Sequence, residues 1–231
     1  MNRKADIEAL LNGAGRTLLT IHEKYNNSLH SMTISADLKI DLKNYFGNLR
    51  SVLDYLARCI VDKYCPNANS KNNLYFPIRK NQSLFDDVMR TSYPDLQKNC
   101  KYVYDILEAF QPFKKTENAW LVHFNEINNK NKHERLVPQK AIQTERVTVQ
   151  IKGGGKVSWN ASAVKFGSGV SIGGVPINPY TQMPYPSNTQ TVKIEDWVDF
   201  QFEGTKVSAI WLIRESFEHI QKIYSDLKDK I

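Results

Sequence analysis

Cysteines and long apolar runs are scarce in this sequence, and each shortage excludes a class of protein. The chain has only three cysteines, Cys59, Cys65 and Cys100, with no tight spacing. An odd, scattered set argues against a disulfide-stabilised secreted domain and predicts a reducing compartment. No run of about 18 apolar residues occurs, so no membrane span is expected. The first residues contain no apolar signal-peptide core, and we therefore expect a cytoplasmic protein.

Signatures of the common catalytic and cofactor sites are also missing. The sequence has no Gly-x-Ser-x-Gly nucleophile motif, no phosphate-binding loop and no dinucleotide fingerprint. His123 and Glu126 share one helical face, but no third residue has the spacing of a metal ligand. We therefore expect neither a metal nor a cofactor.

The composition is that of a globular protein with a basic N-terminal part. Hydrophobic residues make up 41% of the 231 residues and charged residues 24%, which argues against disorder. Most of the net charge of +7 lies in residues 1–140, which hold 21 Lys and Arg against 15 Asp and Glu. A basic surface favours an anionic partner such as nucleic acid. A solvated surface without a partner has the same composition.

Apolar residues in the first part of the chain recur at helical spacing. The stripe from Leu38 to Tyr64 predicts a long helix with Ser35 as its N-cap. A stripe over 7–25 predicts a helix before it. Further patterns predict a short helix opened by a capping box at Ser83 and a helix with Pro94 in its first turn. A last helix of this part is predicted from Thr116 to about residue 136.

The apolar period changes from near four to two after Pro138. Alternation at 147–151, Gly153–Gly155 and renewed alternation at 192–202 predict a hairpin and a later strand. The stripe from Ile210 to Tyr224 is helical again and must pack on other helices to be buried. The predicted fold is therefore mainly α. Its predicted parts are a helical bundle over 1–139, a β-rich insertion over 140–204, and a C-terminal helix over 205–231 that packs back on the bundle.

The stretch at 124–135 has the chemistry best suited to a binding site. On a helix, one polar face would carry Asn125, Asn129 and His133. The adjacent face would carry Asn128, Lys132 and Arg135. Amide, imidazole and cationic groups suit the recognition of phosphate and ribose. In a chain rich in Asn and Lys, the same residues also fit a solvated helix end.

Two further features could complete such a site. His133 is the only side chain of the stretch with an unperturbed pKa near neutrality, so it is the candidate for proton transfer. A histidine that neutralises the helix dipole is the alternative. Asp54 follows Arg50 by four residues, which fits an ordinary ion pair on one helix. It also fits a carboxylate that orients the imidazole of His133 from a neighbouring helix.

Four short motifs in a fixed order resemble those of a family of uncharacterised, mainly prokaryotic proteins. They are Asn-Leu-Arg-Ser-Val-Leu-Asp from Asn48, Phe-Pro-Ile from Phe76, Phe-Gln-Pro-Phe from Phe110, and the polar stretch from Asn128 to Arg135. The resemblance covers roughly residues 35–137. That family in turn resembles the HEPN superfamily of helical bundles, many of which are metal-independent RNases. The resemblance implies an HEPN-like bundle and a homodimer in which two copies of the late helix line one cleft.

The HEPN motif is Arg-polar-x-x-x-His, and this sequence matches it in part. Asn129 and His133 take the polar and His positions, whereas Asn128 stands where the motif has Arg. The resemblance implies that His133 moves protons. The predicted site assigns catalysis to His133 and Asn129, phosphate binding to Lys130, Lys132 and Arg135, and support to Asn128, Arg50 and Asp54.

The predicted function is RNA or nucleotide binding on this helix, and if the protein is an enzyme we expect a metal-independent endoribonuclease. A ribose 2′-hydroxyl would attack the adjacent phosphate while cations stabilise the charge on its oxygens. The alternative is a non-catalytic interaction module with a degenerate HEPN site. In that case the polar helix end makes structural hydrogen bonds and the β insertion binds a protein.

Overall fold

The computed structural model describes residues 3–31, 33–69, 74–133, 136–161 and 163–231, without the side chains at 29–31, 133, 143, 144 and 195–198. The elements follow in the order α1 (Arg3–Ser31), α2 (Ala36–Tyr64), α3 (Gln82–Ser92), α4 (Leu96–Asn99), α5 (Lys101–Ala109), α6 (Ala119–His133), β1 (Gln139–Ile151), β2 (Lys156–Asn160), β3 (Ser171–Ile172), β4 (Val175–Pro176), β5 (Gln190–Phe202) and α7 (Ala209–Leu227). The mainly helical fold class predicted from the apolar period is confirmed.

The chain divides into two compact units. The helical unit combines residues 1–139 with 201–231, and the β unit spans residues 140–200. Strands β1 and β5 carry the chain out of the helical unit and back into it, so the β unit is an insertion in the sequence of the helical unit. No helix among the described residues is both long and apolar enough to cross a membrane.

Helix α2 forms the centre of the helical unit. Its N-cap is the predicted Ser35, whose hydroxyl accepts a 3.1 Å hydrogen bond from the Leu38 N–H. Helices α1, α6 and α7 all contact α2. Tyr45 fixes α7 against it, because its buried hydroxyl donates to the Ile213 carbonyl at 2.9 Å. The buried side of α2 consists of Leu38, Leu42, Tyr45, Phe46, Leu49, Val52, Leu53, Leu56, Ala57, Ile60 and Val61.

Gly15 lies where α7 approaches α1 closely. A Cβ at this position would lie 3.3 Å from Cζ of Phe217. Glycine lowers the intrinsic stability of α1 by roughly 1 kcal/mol relative to alanine. The close packing of the Phe217 ring explains its place in the helix.

Three predicted helix starts differ from the structure. Helix α3 is capped by Asn81 rather than by a box at Ser83, since the Asn81 side chain accepts from the Leu84 N–H at 2.9 Å. The predicted helix at Pro94 is divided into α4 and α5 by Cys100, whose φ of −154° is not helical. Thr116 begins a 3-10 turn over 116–118, and α6 begins only after it.

The β unit has its own small core. Strands β1 and β2 form the predicted antiparallel hairpin, with Val147 opposite Trp159, and β1 lies between β2 and β5. Gly153 turns the hairpin with a φ of +70°, a conformation that favours glycine. The Trp159 ring packs edge-on against Phe166 at 5.0 Å between centroids. Buried Val147 and Val149 complete this core.

Candidate functional site

Helix α6 has one apolar side and one polar side. Trp120, Leu121, Phe124 and Ile127 are at most 2% exposed, and the Phe124 ring packs edge-on against Phe46 of α2 at 5.9 Å. Residues three and four apart lie above one another on a helix. Because this apolar stripe is buried, the asparagines of α6 lie on the other, polar side of the helix.

A cavity of about 240 Å³ lies between α2, the loop at 74–79 and the polar side of α6. We call it the amide cavity, because three asparagines of α6 line it. Its lining residues are Arg50, Asp54, Tyr75, Phe76, Ile78, Arg79, Asn125, Asn128, Asn129 and Lys132.

Arg50 joins the two helices that border the amide cavity. Its Nε donates to Oδ2 of Asp54 at 3.1 Å, and its Nη1 donates to Oδ1 of Asn125 at 2.8 Å. The side chain is only 15% exposed. The guanidinium has further N–H groups that no described residue accepts from, so they remain available to a ligand in the cavity.

Asp54 has a structural task in this arrangement. One carboxylate oxygen holds Arg50, and the other accepts a 3.0 Å hydrogen bond from the Phe76 N–H. Asp54 therefore fixes both the guanidinium and the start of the loop. The predicted role of orienting His133 stays a prediction, since the His133 side chain lies outside the described residues.

The loop at 74–79 is held by buried hydrogen bonds. Gln111 is fully buried, donates through Nε2 to the Pro77 carbonyl at 2.7 Å and accepts through Oε1 from the Arg79 N–H at 2.9 Å. The Tyr93 hydroxyl donates to the Tyr75 carbonyl at 2.8 Å. These bonds place Tyr75 and Arg79 on the amide cavity, although neither belonged to the predicted site.

Asn128 is a mostly buried polar residue at the wall of the cavity. It is only 7% exposed and lines the cavity. Within the described ranges its side-chain amide has no hydrogen-bonding partner. Its amide atoms are not among the fully buried side-chain atoms that lack a partner, so they are accessible and can donate to and accept from a ligand in the cavity.

The structure brings together part of the predicted site. Arg50, Asp54, Asn128, Asn129 and Lys132 all line the amide cavity. Lys130 lies on the same helix outside this lining. The backbone of His133 ends α6, but its side chain and the whole of Arg135 lie outside the described residues.

The charges around the amide cavity favour an anion. Three cations, Arg50, Arg79 and Lys132, face a single carboxylate, that of Asp54. Because Asp54 is already paired with Arg50, the other two cations have no carboxylate of their own in the lining. Among the described side chains no group of three His, Cys, Asp or Glu residues could hold a metal ion.

Sequence reasoning could have found Arg79 only by knowing which helix the loop packs on. Its signal is the Phe-Pro-Ile segment before it, whose Phe76 is 1% exposed and pins the loop to the helical core.

Comparisons with known protein families, with curated proteins and with solved structures gave no match to this chain. The functional interpretation therefore depends on the chemistry of the amide cavity.

Proposed function

We propose that this protein is an HEPN-like RNA- or nucleotide-binding protein and that its ligand occupies the amide cavity. The observation that supports this most is the meeting of three cations and three asparagine amides around one small space. Guanidinium and ammonium groups pair with phosphate oxygens. Amides both donate and accept hydrogen bonds, as recognition of ribose hydroxyls and base edges requires.

The size of the cavity limits what it can accept. A volume of about 240 Å³ lies below the roughly 300–1,000 Å³ of pockets that enclose a drug-sized ligand. One nucleotide of a longer strand can enter such a space partly, whereas a base-paired helix cannot. The excess of basic residues over 1–140 would attract the rest of the strand.

We also propose that any cleavage at this site needs no metal. The ribose 2′-hydroxyl attacks the adjacent phosphorus and loses its proton, and the bond to the 5′-oxygen of the next nucleotide breaks. The products are a 2′,3′-cyclic phosphate and a 5′-hydroxyl. His133 would transfer protons, since it lies one helical turn after Asn129 on α6. Cations of the cavity would stabilise the charge on the phosphate oxygens. The HEPN resemblance further implies a homodimer.

Two lysines of α6 provide a matched test of binding. Lys132 lines the amide cavity and Lys130 does not. Affinity for a labelled single-stranded RNA is measured by fluorescence anisotropy over a series of salt concentrations. With three phosphate contacts, log K should fall with log salt at a slope of about −2, and Lys132→Ala should reduce the steepness by about 0.7. Lys130→Ala should leave both the affinity and the slope near those of the wild type.

Other outcomes contradict the proposal. If the wild type binds no RNA at low salt, the amide cavity is not a nucleic-acid site and the non-catalytic interaction module is the better account. If Lys130→Ala and Lys132→Ala weaken binding equally, the contact is a general basic surface and not this cavity.

A further inference from the structure

Tyr75 is an exposed aromatic residue at the edge of the amide cavity. It is 52% exposed, whereas the adjacent Phe76 is 1% exposed. Phe76 is buried in the core, whereas the Tyr75 ring is exposed and lines the cavity.

The structure holds the Tyr75 backbone firmly although its ring is exposed. The Tyr93 hydroxyl donates to the Tyr75 carbonyl at 2.8 Å, and Asp54 accepts from the next N–H at 3.0 Å. The Arg50 guanidinium lies over the ring, 5.7 Å from its centroid. About half of the side chain remains open. A ring fixed in this way loses little conformational freedom when a flat ligand stacks on it.

Polar groups next to the ring fit the other parts of a nucleotide. Arg50 connects the ring to the asparagines through its bond to Asn125. The Asn128 amide lines the same cavity and has no hydrogen-bonding partner among the described residues. A stacking surface, unpaired amide groups and cations thus border one space.

We propose that Tyr75 is the base-stacking residue of the amide cavity. An unstacked nucleobase lies on the open part of its ring, and the adjacent phosphate lies against the cations of the cavity. This inference rests on the proposed function and adds the residue through which the base itself is recognised. Stacking needs only the aromatic face, so affinity for the base should depend on the Tyr75 ring and very little on its hydroxyl.

Tyr102 is a closely matched control for Tyr75. It is 53% exposed, and Nζ of Lys230 lies 5.6 Å from its ring centroid. It therefore shares the exposure and the cation contact of Tyr75, but it does not line the amide cavity. Its replacement tests whether any exposed tyrosine of this protein contributes to binding.

The experiment compares two oligomers of the same length and charge, an oligoadenylate and its abasic counterpart. Both carry 2′-fluoro groups, so attack by a 2′-hydroxyl cannot consume them. The wild type should bind the oligoadenylate about 10-fold more tightly than the abasic oligomer. Tyr75→Leu should remove this preference while abasic binding stays unchanged. Tyr75→Phe and Tyr102→Leu should both keep the preference.

Other results overturn either the stacking inference or the proposed function, and the experiment distinguishes the two. Equal binding of the two oligomers by the wild type overturns the stacking inference and leaves RNA binding intact. A Tyr75→Leu variant that loses affinity for both oligomers equally shows that Tyr75 only positions Arg50, which also overturns it. If the wild type binds neither these oligomers nor an unmodified single-stranded RNA at low salt, the proposed function itself fails. Melting curves confirm that each variant is folded.

Discussion

Nη1 of Arg50 donates a 2.8 Å hydrogen bond to Oδ1 of Asn125, which lies 75 residues later in the chain. This bond links α2 to α6 at the wall of the amide cavity. The same guanidinium also bonds Asp54, which in turn holds the Phe76 N–H. A short network therefore joins two helices and a loop, and changes to it should affect both stability and binding.

Removal of the Asp54 carboxylate should destabilise the helical unit. Asp54→Ala leaves the Arg50 Nε–H and the Phe76 N–H without their acceptor. We expect the free energy of unfolding to fall by about 2–3 kcal/mol, as measured by urea denaturation. The control is Asp87→Ala, which breaks an exposed pair with Arg90 and should cost less than about 1 kcal/mol. Equal losses would show that the Asp54 network contributes no more than a surface pair.

Gln111 should contribute to stability and to the site together. It is fully buried, and Gln111→Leu leaves the Arg79 N–H and the Pro77 carbonyl without partners. We expect a loss of about 3 kcal/mol in urea denaturation. RNA affinity should also fall in the folded variant, because the loop then holds Tyr75 and Arg79 less firmly.

The control for this substitution is Gln97→Leu. Gln97 is exposed and does not line the amide cavity, so its replacement should change stability by no more than about 0.5 kcal/mol. A stable Gln111→Leu variant with wild-type RNA affinity would contradict the role given to the loop.

Cleavage of RNA should depend on His133 and not on a metal. If the wild type cleaves RNA, His133→Ala should reduce the rate on the order of 10²-fold, and chelators should have no effect. His123→Ala is the control on the same helix, since His123 packs edge-on against Trp211 and does not line the cavity. A His133→Ala variant that unfolds would instead show a structural role for His133.

Asn128 allows the missing motif arginine to be tested. Asn128 lines the amide cavity, so Asn128→Arg introduces a further guanidinium at its wall. We expect this variant to cleave RNA faster than the wild type if the absent charge limits the reaction. Initial rates are compared alongside melting curves. If both proteins are folded and inert, the enzyme proposal fails and the interaction module is favoured.

Stability should decline at high pH through Tyr224. Burial raises the pKa of Tyr224 to about 12, and its hydroxyl donates to Glu8 at 2.7 Å, which adds to the shift. The protonated form is therefore favoured in the folded state. Its contribution is complete below pH 10, the ordinary pKa, and is lost as the pH rises towards 12.

The measurement is urea denaturation between pH 9 and 12, a range that includes the ordinary tyrosine pKa of 10.0 and the raised pKa of about 12. Wild-type stability should fall by about 1 kcal/mol more than that of Tyr224→Phe over this range, because solvent partly screens the pair. Burial also raises the pKa of Tyr45 and of Tyr93, so both proteins lose stability in parallel from those groups. Identical slopes for the two proteins would contradict the assignment to Tyr224.

Local sequence patterns determined much of the fold. The apolar stripe of α2 and the Ser35 cap are set by residues a few positions apart, and the structure confirms both. The hairpin of β1 and β2 follows from alternation around a glycine turn. Local sequence did not decide the N-cap of α3, for which two nearby residues were suitable. Asn81 caps the helix instead of Ser83, because the Asn81 side chain reaches the Leu84 N–H.

The amide cavity depended on the tertiary structure. The sequence indicated the asparagines of α6, because their density is visible within a few residues. It could not place Arg79 or Tyr75 beside them, since the loop is positioned by bonds from Gln111 and Asp54, which lie 32 and 22 residues away from their partners. The sequence by itself thus determined which helices form and which polar residues they carry. Only the packing of the loop on α2 and α6 decided which of those residues share a cavity, because such contacts join distant segments and no local periodicity encodes them.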